Sequence, residues 1–227
     1  MTYRKHPLIT GQIYHVFNRS IAKQPIFSDR RDFLRFIQIT NFYRFLKPLQ
    51  RFSFYNRMSF ENRTSFLNEL ESKGTKLVSI FAFVLMNNHF HFLLKQLEEN
   101  GIQKFISNTE NSYAKYFNMK TKRTGSLFSE MFKASMVERD EEFIHVARYI
   151  HLNPYSSYLV KDINQLKEYP WSSLGNYLGG KSRDNFIDSG FLLSFFQSKE
   201  KLSSFTFDQA DYQRKLQDIK HLVFDHE

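Results

Sequence analysis

The stretch Lys76-Leu-Val-Ser-Ile-Phe-Ala-Phe-Val-Leu-Met-Asn-Asn-His-Phe-His-Phe-Leu-Leu-Lys95 decides the fold. Its first part, up to Met86, is a strongly apolar run rich in β-branched and aromatic residues, which predicts a strand. Asn87 and Asn88 mark a tight turn or bulge, and residues 89–95 return as a partner strand. Upstream, residues 11–18 (Gly-Gln-Ile-Tyr-His-Val-Phe-Asn) read as a first strand. Ser28 and Asp29 then offer an N-cap to a helix whose apolar face is Phe33, Phe36, Ile37 and Phe42. Residues 47–75 are polar, rich in Arg, Asn and Ser, and read as an insertion with one short helix over 59–72. Downstream, a helix over 102–118 leads through the basic loop 120–125 to a short strand over 132–137. Asp140 is expected to cap a last helix through Leu152, which Pro154 helps to end.

This order, β-α-β-β-α-β-α, is the split βαβ pattern of ferredoxin-like and RRM-like folds with one further helix. The expected class is therefore α+β, with an antiparallel sheet. A core over 1–155, carrying the 47–75 insertion, is followed by a helical extension over 156–227 packed on it. Trp171 and the glycines at 179 and 180 punctuate that extension, and no repeat or low-complexity tract interrupts the chain.

Composition narrows the chemistry. The chain has 227 residues and no cysteine, which rules out disulfides and thiolate zinc sites and fits a reducing cytoplasm. The basic start, residues 1–5, has no apolar run behind it, so no signal peptide is expected. The longest apolar stretch, near 80–86, is too short to span a bilayer. Lys and Arg outnumber Asp and Glu by 32 to 23, a formal charge of +9. Residues 1–50 hold nine basic and two acidic side chains, and such a surplus favours a polyanionic partner. Of the 26 Phe and 12 Tyr, some could stack on bases, although most Phe in a globular chain are core.

Two constellations could carry chemistry. In His89-Phe90-His91 the imidazoles lie two apart on a strand, so both project from one face while Phe90 faces the other. Neutral imidazoles so placed can clamp a divalent cation and leave positions open for a third ligand and substrate oxygens. Alone the pair is a weak signal, since the chain has eight histidines. Tyr149 and Asn153 stand four apart on the last core helix, hence on one helical face. A nucleophile and an oxygen ligand can then reach one metal from one helix. Each also has a plain structural reading, the tyrosine as packing and the Asn before Pro154 as a helix-ending residue.

Five blocks in register carry a resemblance that adds to these readings. Ile80-Phe-Ala-Phe-Val-Leu-Met-Asn-Asn-His-Phe-His-Phe-Leu-Leu94 resembles the HUH signature of single-tyrosine transposases, and among them the REP-associated tyrosine transposases. Tyr149-Ile-His-Leu-Asn-Pro154 resembles that branch's second signature, and Gly11 to Arg19 its opening strand. Arg123-Thr-Gly-Ser-Leu-Phe128 is similar to its loop before the final strand, and Tyr169-Pro-Trp-Ser-Ser173 to an element that follows the core. The likeness covers roughly residues 8–180. It departs from the pattern at Asn87, where Pro is usual, and at Tyr155, where many relatives have Val.

The resemblance implies that His89 and His91 bind a metal, that Tyr149 is the nucleophile and that Asn153 is the third ligand, at a position where related branches carry Gln. It implies Mg²⁺ or Mn²⁺ as cofactor, no nucleotide cofactor, and single-stranded DNA with a hairpin near the cleavage point as partner. The chain would act in the cytoplasm or nucleoid, without a membrane partner, as a monomer or homodimer. Phosphate contacts are expected from Arg19, Arg30, Arg31, Lys115, Lys120, Lys122, Arg123 and Arg148. The chain shows no Walker-type phosphate loop, in keeping with strand transfer that conserves bond energy in a phosphotyrosine. Three rival readings remain: a domesticated relative serving host DNA processing, a non-catalytic single-strand-binding module, and a hydrolase that activates water at the same histidines.

Overall fold

The computed structural model describes residues 7–129, 131–179 and 186–215; residues 1–5 and Gly180 lie outside them. Strands β1 (Ile13–Arg19), β2 (Val78–Leu85), β3 (His89–Gln96) and β4 (Lys133–Val137) form one antiparallel sheet in the order β2-β3-β1-β4. Helices α1 (Arg30–Tyr43) and α4 (Gly101–Thr121) cover one face, and α5 (Asp140–Ser156) covers the other. This is the α+β, ferredoxin-like order that the alternation of patterns predicts, with β3 and β1 as the central strands.

The two faces follow from side-chain alternation. Along β3, Phe90, Phe92 and Leu94 enter the core under α1 and α4, where Phe90 packs against Phe36. His89, His91 and Leu93 point the other way, toward α5. On β2 the register slips between Ile80 and Ala82. This bulge lets Phe81 and Ala82 both join the α5 core while Ile80 and Phe83 remain in the other. Between β2 and β3 the Asn87-Asn88 pair makes a two-residue turn, closed by Met86 N–H donating to His89 O at 2.8 Å.

The insertion contains two helices, α2 (Phe52–Tyr55) and α3 (Phe60–Lys73), where the sequence pattern predicts one. It is tied to the core by aromatic contacts of Phe42 with Phe52, Tyr55 and Phe66. Asp29 caps α1 as expected, in a reciprocal capping box with Asp32. Asp32 is fully buried and also accepts from Tyr116 Oη at 2.9 Å and Lys120 Nζ at 2.6 Å, which joins α1 to α4.

Helix α5 departs from expectation at both ends. Arg139 occupies its N-cap and Asp140 is the first helical residue, followed by Glu141 and Glu142, which complement the positive end of the helix dipole. Pro154 does not end the helix; it sits in the last turn, and α5 runs on to Ser156. A proline there removes one N–H, and Ser157 closes the turn by donating from both N–H and Oγ to Asn153 O.

Residues beyond α5 brace the sheet. Helices α6 (Leu174–Leu178), α7 (Ser189–Leu193) and α8 (Lys199–Phe207) pack around α5 and β2. Strand β2 would otherwise offer open backbone groups at the sheet edge. Leu85 N–H instead donates to Trp171 O at 2.8 Å, Phe83 N–H to Ser173 Oγ at 2.9 Å, and Tyr169 Oη to Leu85 O at 2.7 Å. Trp171 itself stacks on Phe33 with centroids 4.5 Å apart. The Tyr169 to Ser173 block is thus an edge brace.

Candidate active site

Strand β3 supplies two imidazoles, and α5 lays a phenol and an amide over them. The ring centroids of His89 and His91 are 5.1 Å apart, and that of Tyr149 is 5.8 Å from His91. The Asn153 amide Nδ2 lies 3.5 Å from His91 Nε2, and the same amide hydrogen-bonds toward His89 and Tyr149. Which end of an amide is oxygen follows from its partners, so a turned Asn153 would present Oδ1 to the same point. The residues that the sequence pairs by spacing therefore converge.

Burial sets the protonation. It pushes the His89 imidazole down to about 4, aided by the nearby Arg19 charge, and holds His91 well below the usual histidine range. Both rings are therefore neutral at physiological pH, with lone pairs to offer. Burial raises the Tyr149 phenol, while the Asn153 hydrogen bond and the Arg19 guanidinium pull it back down. Arg19 stands directly opposite His89 across the β1–β3 ladder and is exposed. Residues opposed in a ladder share a face, so its cation lies at the rim of the site.

Asn88 orients the first imidazole: its Oδ1 is 2.6 Å from His89 Nδ1, and its Nδ2 donates to Lys23 O at 2.9 Å. With the Nδ1 proton directed at Asn88, the lone pair of His89 sits on Nε2, on the side where Asn153 approaches. The donor set of two neutral imidazoles and one amide suits a divalent cation and leaves its full charge available to a bound anion. Among the described residues no group of three or more His, Cys, Asp or Glu is placed to hold a metal, so Asn153 would have to complete the donor set.

The other sequence candidates scatter. Arg30, Arg31, Lys115 and Lys122 are exposed on the α1 and α4 layer, the face opposite the imidazoles. Lys120 is paired with Asp29 at 2.8 Å and with Asp32. Arg123 donates to Asn118 Oδ1 at 3.0 Å and to Ser126 O, shaping its own loop. Arg148 turns away from Tyr149 and lies over the Phe205 ring at 4.5 Å, donating to Phe205 O.

Two residues on the site's face went unread in the sequence. His15 of β1 meets His91 at 3.0 Å, and Lys133 of β4, exposed, stands opposite Phe17 in the ladder. The period-two alternation of β1 carries the signal for His15, but only strand order shows that β1 adjoins β3.

Residues 50–153 match the IS200-like transposase family. The IS200-like segment contains His89, His91, Tyr149 and Asn153, whereas His15 and Arg19 precede it and the Tyr169 to Ser173 brace follows it. A solved structure of a REP-associated tyrosine transposase bound to a REP hairpin aligns with 83% of this chain and 93% of its own, at 16% identity and a TM-score of 0.49. No curated protein matches the chain.

Proposed function

We propose that this IS200-like transposase relative cleaves and rejoins single-stranded DNA through a covalent 5′-phosphotyrosine at Tyr149. The carrying observation is the approach of Tyr149 and Asn153 on α5 to His89 and His91 on β3, with the Tyr149 and His91 rings 5.8 Å apart. Mg²⁺ or Mn²⁺ held by His89, His91 and Asn153 would polarise the scissile phosphate and ease charge onto the phenol oxygen. Tyr149, kept by the helix beside that position, attacks phosphorus; the O–P bond formed replaces the bond to the 3′ oxygen, which leaves as a 3′-hydroxyl. Attack by another 3′-hydroxyl reverses the exchange and restores the phenol, so joining consumes no nucleotide. Arg19 contributes a cation for a substrate phosphate and favours the phenolate.

The substrate reading, single-stranded DNA beside a hairpin, rests on the motif resemblance. The test uses an oligonucleotide with an internal break placed to trap the intermediate, incubated with Mn²⁺. A covalent protein–DNA adduct is expected, absent in Tyr149→Phe and strongly reduced in His89→Ala. An adduct that survives Tyr149→Phe overturns the nucleophile. Cleavage to a free 5′-phosphate that tolerates Tyr149→Phe would point to hydrolysis by water.

A further inference from the structure

The polar contacts of the site do not end at the three groups that face Tyr149. Behind His91, on the side away from Asn153, its Nδ1 lies 3.0 Å from His15 Nε2. The two rings lie edge to edge and nearly coplanar, with centroids 5.2 Å apart and an interplanar angle of 21°, and the His15 ring meets the Tyr149 ring edge-on at 5.8 Å. A neutral imidazole has one N–H and one lone pair. For His91 to offer its Nε2 lone pair to the position beside Asn153, its proton must sit on Nδ1, and His91 is only 6% exposed, so that proton needs an acceptor within the protein. His15 Nε2 stands in that place.

We infer that His15 is a positioning residue: by accepting the Nδ1 proton of His91 it fixes the tautomer and ring plane that aim His91 Nε2 into the site. His15 then carries its own proton on Nδ1. The arrangement parallels the role of Asn88 toward His89, so each imidazole has its own acceptor behind it. Outer partners of this kind typically alter metal affinity by about 10- to 100-fold when lost. The alternative role for His15 is that of an aromatic filler between Phe17, at 5.2 Å, and Tyr149.

The inference rests on the proposed metal site, and the experiment separates the two. Mn²⁺ affinity of the purified full chain is measured by calorimetry for wild type, His15→Phe, His15→Gln and His89→Ala. His15→Phe keeps a ring and loses the acceptor; His15→Gln loses the ring and retains an acceptor. Expected are a fall of roughly 10- to 100-fold for His15→Phe and recovery of most of it in His15→Gln. The reverse order, with His15→Phe binding as wild type and His15→Gln weakened, overturns the role and leaves a packing residue. Absence of Mn²⁺ binding in wild type defeats the metal reading itself. Long-range ¹H–¹⁵N correlation of the metal-free protein decides the tautomer independently: His91 is expected as the Nδ1–H form in wild type and mixed in His15→Phe. An Nε2–H form in wild type sinks the inference whatever the metal does.

Discussion

Acid should unfold this protein through its buried histidines, and His151 gives the cleanest measure of it. His151 lies on α5 two residues after Tyr149, is 1% exposed, and meets Ser173 Oγ at 2.9 Å. Since Ser173 also bonds the backbone of Phe83, this contact ties the helix that bears Tyr149 to β2. Burial pushes the His151 imidazole from 6.5 down to about 3. The folded state therefore binds this proton less readily than the unfolded chain. Its contribution to stability is full above pH 6.5 and falls as the pH drops from there toward 3. Between pH 8 and 5 the loss at this one site is about 2 kcal/mol.

Burial also holds His15 and His89 near 4 and His91 well below the usual histidine range, so each loses stability in the same direction as the pH falls. Urea unfolding of the metal-free protein at pH 8 and pH 5 measures this. His151→Gln should be less stable than wild type at pH 8, yet lose about 2 kcal/mol less on going to pH 5. A variant with the same pH dependence as wild type would refute a buried neutral His151.

Three further variants test assignments at the site and in the layer opposite it. Asp32→Asn removes the buried carboxylate that joins Ser28, Tyr116 and Lys120. It should destabilise the fold by about 3 kcal/mol in denaturant titrations, and a change near zero would mean that the cluster contributes nothing. Arg19→Ala should weaken single-stranded DNA binding and reduce the slope of log affinity against log salt by roughly 1. Arg148→Ala, whose side chain is spent on Phe205, should leave that slope in place and lower the melting temperature instead; the opposite pairing of results would invalidate both placements.

Much of the site was legible because strand and helix periods are local rules. His89 and His91 share a face through the two-residue repeat of β3, and Tyr149 and Asn153 share one through the helical turn of α5. The capping of α1 by Asp29 was likewise readable, since caps involve neighbours in sequence. Lys120 and Arg148 were harder: a basic side chain is the same in sequence whether it meets phosphate, Asp32 or Phe205. The second helix of the insertion also escaped, because α2 is four residues long and held by aromatic contacts with Phe42.

The sequence by itself determined the order of elements, the polarity of each face and the pairs of chemical groups that travel together, all of which depend on residues within a turn or a strand repeat of one another. Only the tertiary structure decided that the two pairs meet, that His15 stands behind His91, and which cations remain unspent at the rim. The bulge in β2 and the brace at Ser173 seat α5 over β3. These are contacts between segments far apart in the chain, and no local periodicity encodes the neighbour that folding supplies.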